Sequence, residues 1–335
     1  MDKPEKEITI TDVARQAGVS MATVSRVVNG NNNVKETTRK KVMAVVDKLH
    51  YRPNAVARGL ASKKSTTIGV IIPSMTDLLY ANLAKGIDDV ASMYKYNIIL
   101  TSNNKGIISE QQMFSDLLAK QVDGIIYMGE KVSADLYKEI NNSRVPVVFA
   151  GAIDDSGKIP SVNIDYKTAV RDVVQLLINN GNRQVALVAD DLSNSINGKY
   201  RLTGYREALE QAGLTYSSNN VFETMYNLQA GAAVWDVIHE SGATAVYVAN
   251  DLLAAGILNA ATASGVKIPE DFEVITSNNT ILCEVTAPRM TSIALPLYDI
   301  GAVAMRMLTK LMNNEEVENI DIKLPYSLIK RGTTK

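Results

Sequence analysis

The chain of 335 residues holds one cysteine, Cys283, and two histidines, His50 and His239. A single thiol excludes an intrachain disulfide framework and any cysteine-cluster zinc site. Two isolated imidazoles leave little material for a histidine metal centre or a catalytic triad. With Gly 20 and Pro 9, the chain is neither collagenous nor proline-rich. No apolar run approaches the roughly 18–20 residues of a spanning helix. The start, MDKPEKEITIT, is charged and lacks the apolar stretch of a signal peptide, so the reading is a soluble, cytoplasmic protein with no membrane partner. No G-x-G occurs, which removes the dinucleotide fingerprint. The nearest approach to a phosphate loop is GAIDDSGKI. There Gly151 and Gly157 are one residue too far apart and Ile159 replaces the magnesium-binding hydroxyl, so it reads as a surface loop. G-x-S-x-G and H-E-x-x-H are also missing. His239 falls on a helical stretch ending at Gly242, where a histidine favours the helix dipole. The chain is therefore not read as an enzyme, and no cofactor or metal is implied.

What is there divides unevenly. Apolar residues make 46% and charged residues 21%, an ordinary globular mix, and at roughly 150 residues per domain the length suits about two domains. The net charge of −1 hides an asymmetry. Residues 1–64 hold 13 Lys and Arg against 6 Asp and Glu, whereas the rest hold 22 against 30. That suggests a small basic domain touching a polyanion, joined to an acidic body.

TDVARQAGVSMATVSRVVNG reads as two short helices around a tight turn. Thr11 or Asp12 can cap the first, whose Val13, Ala14 and Ala17 form one stripe. Gly18 supplies a turn open to positive φ. Ser20 caps a second helix, Met21 to Val28, closed by Asn29-Gly30. Val24, Val27 and Val28 face inward; Met21, Ala22, Ser25 and Arg26 point elsewhere. A third helix, Glu36 to Leu49, turns Val42, Val45, Val46 and Leu49 inward and Arg39, Lys40 and Lys41 outward. Helix, glycine turn, helix is the helix-turn-helix pattern, whose second helix enters the major groove. A plain three-helix bundle is the alternative. Pro53 then breaks the chain. Asn54 can cap a short helix from Ala55 to Ala61, too short to be stable alone. With Arg52, Arg58, Lys63 and Lys64 around it, this stretch orders against something negative and grooved, or else is a basic tether.

VSMATVSRVVNG followed by YRPNAVARGLASKK resembles the DNA-binding head and hinge of the lac repressor family. MYKYNIIL, AKQVDGII and YDIGAVAMRMLTKLMN resemble that family's catabolite-control branch of low-GC Gram-positive bacteria. The resemblance implies operator DNA as partner and a contact set of Thr11, Ser20, Met21, Ala22, Thr23, Ser25, Arg26, Asn29, Asn54, Ala57, Leu60 and Lys63. In it Met21, Ala22 and Arg26 face base edges, Thr23 and Ser25 touch phosphates, and Leu60 is a minor-groove wedge.

From residue 66, short apolar runs at 68–73, 97–101, 122–129, 145–151, 161–164, 184–189, 245–250 and 273–278 alternate with amphipathic stretches. Runs this continuously apolar suit parallel strands buried on both faces. Leu79, Leu83, Ile87 and Val90 share one helical face, as do Val170, Val174 and Leu177. The pattern restarts near Asp165. The expected fold is thus α/β, with an N-terminal helix-turn-helix head and hinge helix, then a periplasmic-binding-protein-like body of two doubly wound parallel-sheet lobes. A solute receptor would share the lobes but not the basic head. The expected boundaries are 1–52 for the head, 53–65 for the hinge, 66–164 plus 292–323 for the first lobe, and 165–291 plus 324–335 for the second. The resemblance implies chain crossings near 164, 292 and 323.

By the same resemblance, a small effector sits between the lobes against Tyr80, Arg201, Asp251 and Asn278. Arg201 can fork to a hydroxyl pair or a phosphate. Asp251 reads equally well as a helix cap. Asn278 stands where the family's sugar binders carry an aspartate, which puts direct sugar binding in doubt and suits a phosphorylated ligand or a pocket that is only an auxiliary site. In PLYDIGAVAMRMLTKLMNN, Ile300, Val303, Met307 and Leu311 form one stripe, and Arg306 and Lys310, one turn apart, form a clamp for a dianion or simply a solvated basic turn. The branch implies that this helix receives the phosphocarrier protein HPr phosphorylated on serine. Asp89, Tyr96, Tyr298, Asp299, Val303 and Met305 would complete the surface. With no leucine heptads after LIKRGTTK, a homodimer is expected rather than a tetramer. The function implied is a transcriptional regulator of carbon catabolite repression or activation. The alternative is a repressor of one sugar operon governed by the cleft.

Overall fold

The computed structural model describes residues 8–31, 33–52, 64–102, 108–129 and 132–335. They fall into two units that part between Ser65 and Thr66. Pro53 and the hinge residues Asn54, Ala57, Leu60 and Lys63 lie outside the described residues.

The first unit is three helices: α1 (Ile10–Ala17), α2 (Met21–Val28) and α3 (Glu36–Lys48). Val13, Ala17, Val24 and Val42 are fully enclosed at its centre. The cap of α1 is Thr9 and not Thr11 or Asp12, which both lie inside the helix. The Asp12 carboxylate accepts from Thr9 N at 3.1 Å and from Thr9 Oγ1 at 2.7 Å, so the acid that was a candidate cap closes a capping box from its third position. Gly18, at φ 62°, turns the chain toward α2. Helix α3 stops at Lys48, one residue short of the expected Leu49, and His50 turns the chain at φ 49°.

The second unit opens in β-α alternation: β1 (Thr67–Ile72), α4 (Leu78–Met93), β2 (Asn97–Ser102), α5 (Glu110–Ala119), β3 (Gly124–Tyr127), α6 (Ala134–Asn142), β4 (Val147–Ala150) and β5 (Ser161–Asn163). The second lobe follows with α7 (Tyr166–Asn179), β6 (Val185–Ala189), a π-helical turn Ser195–Arg201 running into α8 (Leu202–Gln211), and β7 (Val221–Glu223). It continues through α9 (Leu228–Glu240), β8 (Ala245–Val248), α10 (Asp251–Ala263), β9 (Glu273–Ser277), α11 (Leu282–Val285) and β10 (Thr291–Ala294). Helix α12 (Leu297–Met312) and β11 (Asp321–Lys323) return to the first lobe, and β12 (Ser327–Ile329) ends in the second.

The two sheets run β11-β5-β4-β3-β1-β2 and β12-β10-β9-β8-β6-β7. Every pairing is parallel except β10 with β12. Strand β1 shows why its run is apolar throughout. Ile68, Val70 and Ile72 pack toward Leu83 and Ile87 of α4, while Ile71 packs on the opposite face with Phe114 and Leu117 of α5. The second crossing differs from the expected 292. Thr291, Ser292 and Ile293 pair with Ile275, Thr276 and Ser277 in the second sheet, so the chain leaves that lobe only after Ala294.

Glycines set the closest helix contacts. A Cβ on Gly86 of α4 would stand 2.0 Å from Tyr298 O, and one on Gly301 of α12 would stand 2.0 Å from Leu83 O. The two helices therefore cross backbone against backbone. Gly231 and Gly256 do the same for α9 and α10. Thr333 and Thr334 are buried in the second lobe. Thr333 Oγ1 donates to Val274 O at 2.6 Å and accepts from Thr291 N at 2.9 Å. The enclosed Glu273 carboxylate gathers Asn180, Asn182 and Lys335 N at 2.7–3.0 Å.

Candidate functional site

Helix α2 presents one face of the head. Ser20 is committed to its cap: Oγ accepts from Thr23 N at 3.1 Å and bonds Thr23 Oγ1 at 2.9 Å. Thr11 Oγ1 donates to Met21 Sδ at 3.4 Å, tying α1 to the start of α2. Met21, Ala22 and Arg26 are exposed, and Asn29 Nδ2 donates to Ser25 Oγ at 3.3 Å at the far end. No acidic side chain pairs with Arg26 among the described residues. Its five donors thus stand on the exposed side of a helix whose N-terminus carries partial positive charge.

Between the lobes lies a cleft that gathers Asp77 and Tyr80 of the first lobe with Asp190, Asn197, Arg201, Tyr226, Asn250 and Asn278 of the second. Tyr166, at the start of α7, forms part of its wall. Arg201 is not a helix-surface residue. It is 8% exposed, packs over the Tyr166 ring at 5.3 Å, and donates to Asn197 Oδ1 at 2.7 Å. Asn197 in turn donates to Asp190 Oδ1 at 3.1 Å. The π-helical turn brings Asn197 and Arg201 to this wall, a departure from α-helix frequent at functional sites. Three buried polar atoms here have no partner: Arg201 Nε and Asn250 Nδ2, both donors, and Asn278 Oδ1, an acceptor. Asn278 is held at φ 91° just past β9.

Asp251 borders the adjoining groove between the lobes, with Asp77, Tyr226 and Asn278, and the cap of α10 is not Asp251 but Asn250, whose side chain accepts from Leu253 N at 2.9 Å. The Asp251 carboxylate accepts from Thr280 N and Oγ1 at 2.7 Å and from Thr276 Oγ1 at 3.0 Å. It braces the turn after β9, and burial pushes its pKa up.

Two acids join the lobes across the cleft, and the sequence singled out neither. Asp77 caps α4 through Leu79 N at 2.9 Å and hydrogen-bonds Tyr226 of the other lobe. Burial, aided by the charge of Asp190, holds its carboxyl above the usual range. Asp155, in the loop before β5, meets Lys199 Nζ at 2.8 Å, Tyr200 Oη at 3.2 Å and Ser195 Oγ, all of the π turn. Burial alone would raise its pKa, but Lys199 and the two hydroxyls outweigh that and hold it low. The same loop shows why GAIDDSGKI cradles no phosphate. Asp154 consumes its N–H groups, accepting from Ser156, Lys158 and Ile159 at 2.8–3.0 Å.

The third surface is where α4 crosses α12. Asp89 pairs with Lys85 at 2.5 Å and accepts from Tyr298 Oη at 3.2 Å. Lys85 holds the Asp89 carboxyl below its usual range. Asp299, Arg306 and Lys310 are exposed along one side of α12, with Val303 half-buried beside them. Neither Arg306 nor Lys310 has a carboxylate partner among the described residues. Met305 is corrected: it is wholly buried, because α12 packs that side into the first lobe. Tyr96 sits half-buried against the core in the turn after α4.

No group of three or more His, Cys, Asp or Glu placed to hold a metal occurs among the described residues. No helix there is long and apolar enough to cross a membrane.

Comparison with known proteins follows the same division. Residues 9–54 match the lacI family of bacterial regulatory proteins, and residues 174–334 match the periplasmic binding protein-like domain. Catabolite control protein A of Streptococcus mutans is 55% identical over 328 residues, covering 98% of each chain. Catabolite control protein A of Priestia megaterium is 47% identical over 330 residues, 98% of this chain and 99% of that one. The HTH-type transcriptional regulator pepR1 of Lactobacillus delbrueckii is 46% identical over 330 residues, 98% of each. Among solved structures, the lac repressor dimer bound to operator and an anti-inducer aligns with a TM-score of 0.88 at 29% identity, over 98% of this chain and 99% of that one. CcpA of Lactococcus lactis aligns with 0.77 at 43% identity, over 80% and 99%.

Proposed function

The chain belongs to the lac repressor family of transcriptional regulators, in the branch of the catabolite control proteins, and on that premise we propose that it binds pseudo-palindromic operators as a homodimer with serine-phosphorylated HPr as corepressor. The observation that carries the reading is the α4–α12 surface. Asp89 is fixed by Lys85 and Tyr298, while Arg306 and Lys310 stand exposed one turn apart. Two cations so placed receive a phosphate dianion through charge-assisted bonds that a serine hydroxyl cannot make. A dimer face is supported by Leu78 of the first lobe and Ile281 of the second, exposed apolar residues that border one groove. The mechanism is linkage: a partner that binds one arrangement of the dimer favours it, and operator DNA tightens partner binding by the same factor.

The test is operator affinity titrated with HPr in its phosphorylated and plain forms, for wild type and for Arg306→Ala with Lys310→Ala. Phosphorylated HPr raises wild-type affinity, and the double variant loses the gain. A gain retained by the double variant discards the clamp. The second reading rests on the unpaired donors of Arg201 and Asn250, which suit a sugar phosphate acting alone in the cleft. Under it, Arg201→Ala abolishes the response and the clamp variant keeps it.

A further inference from the structure

A second cavity lies on the crossing side of the body. It has a volume of about 350 Å³, within the roughly 300–1,000 Å³ of small-molecule sites. It is bounded by the loop 153–159, the end of β5, the start of α7 and the strand β11. Two of the three chain crossings run along it, and Tyr200 of the second lobe lines it, so anything held there touches both lobes.

Its polar centre is Asn163, which is 2% exposed. Asn163 Nδ2 donates to Ala152 O at 2.7 Å, which fixes the amide, and Oδ1 accepts from nothing. An enclosed acceptor left unpaired is costly, and a donor brought by a guest removes that cost. Ile153, Ile159, Ile164 and Ile320 around Tyr166 form the apolar part of the wall. Charge selects against anions. Asp154, Asp165 and Asp321 border the cavity, opposed by Lys167 and Lys323. Lys167 is turned to Glu207 at 3.1 Å. Burial alone would raise the pKa of Asp154 and Asp165, but backbone N–H and hydroxyl donors, with Lys323 and Lys167 beside Asp165, outweigh it and hold both low.

We propose that this cavity is a second small-molecule site, taking an uncharged guest with an apolar body and an N–H or O–H group that donates to Asn163 Oδ1. Tyr166 lines both this cavity and the cleft, and Arg201 lies over its ring. A guest here therefore presses on the wall that positions the cleft arginine.

The experiment uses the full chain and ligand-observed NMR with adenosine, nicotinamide and phenol, and with adenosine monophosphate as the charged counterpart. At least one neutral probe binds at millimolar concentration. Ile320→Trp, which fills the rim, and Asn163→Leu, which removes the acceptor, each weaken it by about tenfold. Unfolding midpoints and operator binding of both variants identify any that fail to fold, and the folded one decides. The monophosphate binds about tenfold more weakly than adenosine, or not at all, under the same conditions. No binding by any of the three neutral probes overturns the proposal, as does binding unchanged in the folded variants. Equal binding of adenosine and its monophosphate also overturns it, since that points to the cleft.

Discussion

Gly86 and Gly301 meet where α4 crosses α12, and a methyl group on either would stand 2.0 Å from a carbonyl oxygen of the opposite helix. The same crossing sets the reach of Tyr298 to Asp89. Two positions without side chains thus hold the surface on which Lys85, Asp89 and Tyr298 are arranged.

Gly301→Ala accordingly does two things. Overpacking at a backbone contact costs roughly 1–3 kcal/mol, read as a lower unfolding midpoint. Separation of the helices also weakens the proposed response to phosphorylated HPr while leaving operator binding without HPr near wild type. A wild-type midpoint would show that the crossing yields freely.

Arg26→Ala removes the one long donor on the exposed face of α2. If it makes a bidentate contact to guanine, operator affinity falls by roughly 1–3 kcal/mol more than affinity for random DNA. Equal losses on both sequences, measured at one salt concentration, assign Arg26 to phosphate contact instead.

Asp155 and Asp77 both join the lobes, with opposite pH signatures. The folded pKa of Asp155 lies below its unfolded value, so its contribution is complete above the unfolded value and is lost as pH falls through the folded one. Asp77 is raised, so the folded state gains from its protonation. That gain is complete below the unfolded value and is lost as pH rises through the folded one. Asp155→Asn should therefore destabilise at neutral pH, by about 0.2–1 kcal/mol after solvent screening, and the deficit should vanish in acid. Asp77→Asn keeps an acceptor for Leu79 N and should raise stability at neutral pH, the gain shrinking in acid. Denaturant midpoints of both variants across pH 3–8 (a range of about five units) test the pair, and parallel curves contradict the assignment.

Thr333→Val leaves Thr291 N–H and Val274 O without the hydroxyl that served both. The loss is roughly 1–3 kcal/mol for buried groups left unpaired. The sole tryptophan, Trp235, is 2% exposed in the second lobe, and its fluorescence follows that lobe's unfolding in urea. An unshifted midpoint would mean that the tail's other bonds, among them Thr334 Oγ1 with Thr291 Oγ1 and Arg331 with Met290 O, hold it without the Thr333 hydroxyl.

The head was legible because its signals are local. Ser20, Gly18 and the valine stripe act within a few residues of where they stand. The long apolar strands were legible for a similar reason, since burial on both faces leaves a continuous run. Strands β7, β10, β11 and β12 are three or four residues each and exist through partners far along the chain. Nothing in TSIA or DIK announces a strand. Met305 was misplaced because helical spacing gives a side but not the neighbour that covers it. Asp77 and Asp155 went unseen because their partners, Tyr226 and Lys199, lie in the other lobe, and a carboxylate in a loop reads as solvated. Asp251 was seen, but its carboxylate is consumed by Thr276 and Thr280, a geometry that no spacing encodes.

The crossings also govern the order in which the chain can mature during synthesis. Head residues 8–52 emerge together and can fold while the rest is being made, since domains form as units and N-terminal ones form first. Neither lobe has that freedom. The Gly86 side of α4 stays uncovered until α12 leaves the ribosome, the first sheet lacks its edge until Lys323, and the second awaits Thr333. Both lobes thus close only once the segment from Asp321 to Thr333 is present. Through most of its synthesis the nascent body carries open sheet edges and bare helix faces, the surfaces that chaperones bind.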